Sequence, residues 1–151
     1  MRSRLQRGLT VTMLWLLLAQ FLLGMAVNLF VGIPAAHPGA AAHNYFGGLL
    51  AGIAWSIAHG PLLLALHAAL GLALAAGSLA LASGVLALRP RRALPATLVG
   101  WAGVTGAAFN GGSFVNYGHD VSSLLMATGF AIAATCYVIA LVGLLRAGDP
   151  A

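Results

Sequence analysis

The positions of the charged residues relative to four long apolar segments constrain this chain more than any other feature. Counted along the sequence, every basic residue falls on one side of those segments, whereas the histidines fall toward the other side. Basic residues collect on the cytoplasmic side of membrane proteins. The pattern therefore predicts a membrane protein whose histidines lie toward the outer face. The basic residues are Arg2, Arg4, Arg7, Arg89, Arg91, Arg92 and Arg146, and the histidines are His37, His43, His59, His67 and His119.

Composition supports a membrane location. Hydrophobic residues make up 61% of the 151 positions and charged residues only 6%, which is too little charge for a water-exposed surface. Four segments are long enough to cross about 30 Å of hydrocarbon at about 1.5 Å per residue. They are residues 9–33, 61–88, 93–109 and 121–145.

An even number of crossings places all the arginines on one side of the membrane. We therefore expect an all-α fold, an integral membrane four-helix bundle formed by one domain over residues 1–151. The arginines predict the inner (cytoplasmic) membrane as its location, with both termini in the cytoplasm. The first apolar segment is about 25 residues long, more than a secretory signal requires, so we expect it to remain as an uncleaved helix.

The segment between the first two apolar segments predicts a short amphipathic helix over about residues 44–58. Large apolar residues recur there at helical spacing with small residues between them, and Asn44 stands where an N-cap belongs. A helix of about 14 residues reaches only about 21 Å and cannot span a membrane. We expect it on the outer face, with Trp55 as an interfacial anchor and Pro61 at the first position of the next helix.

His67 is the one histidine placed inside an apolar segment. An ionisable side chain at membrane depth is costly, so by default it indicates a functional site. A neutral imidazole that hydrogen-bonds to a neighbouring helix, for instance to Asn28 of the first span, is the alternative. The sequence leaves both interpretations open.

The depths of the histidines decide which of them can act together. Imidazole is a common protein ligand for haem iron, copper and zinc. At about 1.5 Å per residue, His59 and His119 lie near one level, and His67 lies about two turns deeper. Helix tilt of about 20° still allows His67 to meet His119.

The motif His67-Ala68-Ala69-Leu70-Gly71, followed by His119 at the fourth span, resembles small four-helix b-type membrane cytochromes and the half-modules of haem A synthase. The resemblance implies that His67 and His119 ligate one haem b iron from opposite sides, with Gly71 leaving room for the macrocycle. The depths of the histidines add His59 as a further candidate for the cofactor site. This chain departs from that pattern at two points. His119 stands at a helix start, and no basic residue is available on the outer side to pair with a haem propionate.

A copper or zinc site is the second interpretation of the outer histidines. His43, His59, His119 and Asp120 offer suitable ligands, although no short fixed spacing supports the set. Asp120 is equally explained by the start of a helix, where the dipole favours a carboxylate. The polar residues 109–120 that include it are also good turn formers, and we expect a turn there.

The sequence leaves two functions open. The first is a histidine cluster that binds haem b or a transition metal in a redox or ligand-binding role. The second is a cofactor-free accessory or scaffold subunit of a larger membrane assembly. Enzymatic catalysis is not expected, because the chain has no glutamate, lysine or nucleophile motif. The expected partners are the lipid bilayer and other membrane proteins or a second copy, and not nucleic acid.

Overall fold

In this computed structural model, which describes residues 2–88 and 93–146, the chain is built from five α-helices. No β-strand occurs in those two ranges, so the expected all-α class is confirmed. The helices are α1 (Arg2–Phe30), α2 (Tyr45–His59), α3 (Leu62–Leu88), α4 (Leu94–Tyr117) and α5 (Asp120–Arg146).

Three of these helices are long and apolar enough to span a membrane, and they indicate a membrane protein. Each qualifying segment has 27 residues: Arg4–Phe30, Leu62–Leu88 and Asp120–Arg146. The 24-residue α4 is not among them. Five glycines and two asparagines lower its hydropathy, although it is long enough. The expected four-span bundle is therefore corrected, because the segment at residues 93–109 belongs to a helix that is less apolar than a span.

The helices pack so that both ends of the described chain meet. α1 and α4 each contact α3 and α5, and α2 lies on α3 and α4. The Arg7 guanidinium donates hydrogen bonds to the carbonyl oxygens of Leu144 and Leu145, at 3.2 and 3.5 Å. A cation at the last carbonyls of α5 complements the negative end of that helix. We call this the arginine end, and the opposite end, where α1 and α4 finish and α3 and α5 begin, the histidine end.

A short break separates α4 from α5. Residues 109–117, where we expected a turn, are helical, and the chain turns only at Gly118 and His119. Gly118 has φ of 64°, a left-handed conformation that glycine adopts without a Cβ clash, and its N–H donates to the Phe114 carbonyl at 2.8 Å. The turn prediction failed because turn-forming residues are tolerated in a helix that packs closely against its neighbours.

The short helix expected at residues 44–58 is present as α2. The Asn44 side chain caps its N-terminus by accepting a hydrogen bond from the Gly47 N–H at 2.7 Å. α2 ends at His59, and α3 begins at Leu62, so Pro61 precedes that helix instead of starting it.

The backbones of α4 and α5 touch at two buried glycines. A Cβ added to Gly103 would lie 2.8 Å from the Gly129 carbonyl oxygen and 3.1 Å from the Ala133 nitrogen. One added to Gly129 would lie 2.7 Å from the Gly103 carbonyl oxygen. Close approach at small residues is the usual basis of helix association in lipid. Beside this contact lies a buried core formed by Met13, Leu17, Leu74, Leu81, Val85, Val104, Ala133 and Tyr137.

We predict that Gly103→Leu separates α4 from α5 and lowers the free energy of unfolding by about 1–3 kcal/mol or more, because the new side chain meets backbone atoms that cannot move aside. The measurement is thermal or denaturant unfolding of the purified protein in detergent. Gly106→Leu is the matched control one turn away, since no heavy atom lies within 4 Å of its Cβ position. Equal stability of the two variants would contradict a backbone contact at Gly103.

Candidate functional site at the histidine end

A cap covers part of the histidine end. It consists of the connection after α1 and α2 itself, residues 34–59, and its anchor is His37, which is only 6% exposed. The imidazole Nε2 lies 3.1 Å from the Val115 carbonyl oxygen, and the ring stacks on Trp55 at 4.8 Å between centroids. A carbonyl only accepts, so Nε2 carries the proton and donates. His37 thereby ties the connection to both α4 and α2.

Asn116 of α4 is held in a cage of glycines beneath the cap. A Cβ on Gly39 or on Gly52 would collide with the Asn116 Oδ1, and one on Gly48 would lie 3.4 Å from its Nδ2. Neither amide atom has a hydrogen-bond partner among the residues described. An unsatisfied buried amide costs about 1–3 kcal/mol. The glycines let the cap backbone reach α4, and the packing must offset that cost.

His67 is paired within the protein. Its Nε2 lies 3.3 Å from the Nε2 of Gln20 on α1, which donates to it, and a Cβ on Gly24 would lie 3.0 Å from the His67 Cε1. The expected alternative of a hydrogen-bonded neutral imidazole therefore describes the observed contact. The partner is Gln20 and not Asn28, which is exposed about two turns further along α1.

The residues implied by the cytochrome resemblance do not fit a haem in this arrangement. The Gln20 amide donates a hydrogen bond to the His67 Nε2, the atom that would ligate iron. It also fills the space beside Gly71, where an added Cβ would lie 3.3 Å from the Gln20 nitrogen. His119 is exposed, and its ring stacks on Tyr117 with centroids 6.1 Å apart. A macrocycle beside Gly71 would have to displace the side chain that joins α1 to α3.

The residues expected to bind copper or zinc all lie on the surface of the histidine end. His43, His59, His119 and Asp120 are exposed. Nowhere in residues 2–88 and 93–146 do three or more histidine, cysteine, aspartate or glutamate side chains converge on a point that could hold a metal ion. Asp120 is the first residue of α5 and lies in its first turn, the position that the helix dipole favours.

An exposed aromatic cluster was missed in the sequence. Tyr45 and Phe46 at the start of α2 meet Phe109 and Tyr117 of α4, with ring centroids 5.5 to 6.0 Å apart. Their exposed fractions run from 38% for Phe109 to 68% for Phe46. Tyrosine is enriched where a membrane meets water, and that preference was the available signal.

A cleft of about 400 Å³ opens beside the cap, between the last turns of α1 and α4. No charged side chain lines it, and its polar side chains are two asparagines and a tyrosine. Sequence reasoning missed this cleft because it depends on where two helices end. Its lining residues are Val27, Asn28, Val31, Ile33, Pro34, Ala35, Phe114, Val115, Asn116, Tyr117 and Gly118.

Comparison with known proteins identifies no relative of this chain. No family model, no curated protein and no solved structure matches the chain. The geometry of the described residues is therefore the basis for any functional assignment.

We predict that His37→Leu loosens the cap, because the partly buried Val115 carbonyl loses its donor and Trp55 loses its stacking partner. The loss of one such hydrogen bond costs about 1–3 kcal/mol. Hydrogen exchange of the amides in residues 34–59 measures it, and faster exchange confined to that segment is the expected result. His43→Leu, at an exposed position six residues along the same connection, should leave the exchange unchanged. Similar exchange in both variants would show that His37 does not anchor the cap.

Proposed function

We propose that this protein is a cofactor-free accessory subunit of a membrane assembly, and that the outward face of α4 contacts the partner. The observation that carries this proposal is the character of that face. Ala102 and Thr105 are exposed, and Gly106 has open space above it, with no heavy atom within 4 Å of an added Cβ. This stretch of small residues, which Val99 and Phe109 flank on the same face, permits the close helix approach by which membrane helices associate.

The outward face of α1 differs in character from that of α4. Large apolar side chains project from it, with Trp15, Leu22 and Leu29 each 59–68% exposed. Such side chains suit lipid chains, which need no specific fit. α4 lies between α3 and α5, both apolar enough to span a membrane, yet its own composition is less apolar than a span. A neighbouring protein would give the small, weakly polar face of α4 a closer fit than lipid does.

The buried histidines support a role without a cofactor. His67 is engaged by Gln20, and His37 by Val115 and Trp55, so each acts in packing. We also infer that the arginine end faces the cytoplasm and that the protein lies in the inner membrane. This assignment follows from Arg4, Arg7 and Arg146, because basic residues concentrate on the cytoplasmic side.

We predict that Gly106→Leu removes the protein from its native complex without unfolding it, because the leucine extends from the contact face into open space. Blue native electrophoresis of gently solubilised membranes should show wild-type protein in a band larger than the monomer, and the variant in the monomer band. Mass spectrometry of the larger band identifies the partner. Gly8→Leu on α1, where a Cβ is equally uncrowded, is the control and should stay in the complex. Wild-type protein that runs only as a monomer would contradict the proposal.

A protein that binds haem b or a transition metal through its outer histidines is the other candidate function. The observation that favours it is the set of imidazoles of His43, His59 and His119, which are exposed at one end of the helices. Because His67 is already paired, we predict that protein purified from haem-replete cells shows no Soret absorption and no stoichiometric copper or zinc. A Soret band that disappears in His67→Ala or His119→Ala would establish haem binding and overturn the cofactor-free assignment. Metal lost in His59→Ala would do the same for a metal site.

A further inference from the structure

We infer that the cleft at the histidine end binds a small organic cation with an apolar body, a function beyond the proposed assembly role. The cleft has about 400 Å³ of space, within the range of about 300–1,000 Å³ typical of small-molecule sites. The walls come from Val27 to Ala35 on one side and from Phe114 to Gly118 on the other.

Each wall includes the C-terminal end of a long helix, and the first wall continues into the connection that follows α1. α1 ends at Phe30 and α4 ends at Tyr117, and the last turn of each lines the cleft. The last carbonyls of a helix have no N–H donor within the helix. Each helix end also carries the equivalent of about half a negative charge. Two such ends around one cleft favour a positively charged or hydrogen-bond-donating ligand.

Three carbonyls in these two turns are already engaged. The Val27 oxygen accepts from the Val31 N–H at 3.0 Å, the Phe114 oxygen accepts from the Gly118 N–H at 2.8 Å, and the Val115 oxygen accepts from His37. These bonds fix the shape of the two walls. The final carbonyls of each helix lie beyond them along the chain.

The charges of the described side chains agree with a cationic ligand. The described arginines, Arg4, Arg7 and Arg146, lie at the opposite end of the helices. At the histidine end the one acidic side chain among the described residues is Asp120. It lies at the start of α5, where its carboxylate offsets the positive pole of that helix. An anion would therefore meet two negative helix ends and find no cationic side chain lining the cleft.

The lining also explains why the cation should carry an apolar body. Phe114 lines the cleft, and a cation held within about 6 Å of its ring face would be attracted to it, whereas the Tyr117 ring already stacks on Tyr45 and His119. Val27, Val31 and Ile33 add apolar surface. No carboxylate lines the cleft, so a strongly hydrated inorganic cation would lose its water without compensation. A quaternary ammonium group on an apolar body is weakly hydrated and suits this combination.

The experiment compares two probes of nearly the same shape. Phenyltrimethylammonium carries the charge, and tert-butylbenzene is its uncharged counterpart. Isothermal titration calorimetry of the purified full chain in an uncharged maltoside detergent measures both. We expect saturable binding of the cation and about tenfold or weaker binding of the neutral probe, the difference expected when a charge–aromatic and charge–dipole interaction is removed. Equal affinity for the two probes, or no saturable binding of the cation, would overturn the inference.

Two substitutions locate the binding. Ala35→Trp fills the cleft and should abolish binding of the cation, whereas Ala41→Trp, at an exposed position outside it, should not change binding. Asn28→Leu removes the exposed amide from the lining and should weaken binding about threefold to tenfold. Unchanged affinity in both Ala35→Trp and Asn28→Leu would place the probe elsewhere and overturn the assignment, even if one variant were unstable.

A lipid headgroup and a soluble compound share the required chemistry. Repeating the titration in nanodiscs of phosphatidylcholine and of uncharged digalactosyldiacylglycerol distinguishes the two sources. Weaker probe binding in phosphatidylcholine supports the headgroup trimethylammonium as the occupant of the cleft. Equal binding in both lipids supports a soluble cation. The failure of this inference would leave the assembly proposal untouched, because Gly106 does not line the cleft.

Discussion

The backbone contact between α4 and α5 at Gly103 and Gly129 is the interaction on which the histidine end depends. With lipid as the solvent, burying apolar side chains between helices gains little, so association relies on close packing and on hydrogen bonds. The two glycines bring the chains near enough for a carbonyl oxygen of one helix to face the Cα of the other. This contact fixes α4, which then positions Val115 and Asn116 beneath the cap and Phe114 and Tyr117 at the cleft. A larger residue at position 103 would therefore disturb the cap and the cleft together.

Polar side chains connect the elements that are not joined by a glycine backbone contact. Gln20 and His67 join α1 to α3, and His37 joins the cap to α4. Each connection is a single hydrogen bond between different elements in a poorly hydrated setting, where an unpaired group costs more than a pair gains. The pairs therefore specify which helices are neighbours more than they add stability. Each pair still leaves a buried atom without a partner among the residues described, such as the Gln20 Oε1 and the Nδ1 of His37. Asn116 goes further, because neither atom of its amide has one.

The sequence predicted the helices well because length and hydropathy act locally. The apolar segments, the short helix at α2 and the Asn44 cap could be read from residue spacing, since each depends on neighbours in the chain. The membrane character of α4 was predicted less well. The helix is long enough to span, but its glycines and asparagines make it only moderately apolar. The turn expected at residues 109–120 failed for a related reason. Turn propensity describes an isolated segment, and tertiary packing overrides it in a helix held on several sides.

The candidate site was harder to predict, because its parts meet only in three dimensions. Depth along each helix placed His59, His119 and His67 near one end correctly, but it said nothing about the direction of each ring. His67 turns toward Gln20 and Gly24 on α1, whereas His119 lies on the surface beside Tyr117. His37, which was not among the candidate site residues, is the histidine that organises the cap. No local pattern marks it, because its role comes from a carbonyl 78 residues away in the sequence.

The contacts of the histidines therefore fit a packing role that needs no shared metal or haem. A neutral imidazole can donate, accept and stack on an aromatic ring, which makes it useful where a membrane helix ends and the chain must be held across it. Arginine offers only donors and a permanent charge, and at this end it would face the negative poles of α1 and α4 from within the cleft. Keeping arginine at the other end leaves those poles unneutralised. The same separation of charge from which we infer the orientation in the membrane also leaves the cleft suited to a cation from outside the protein.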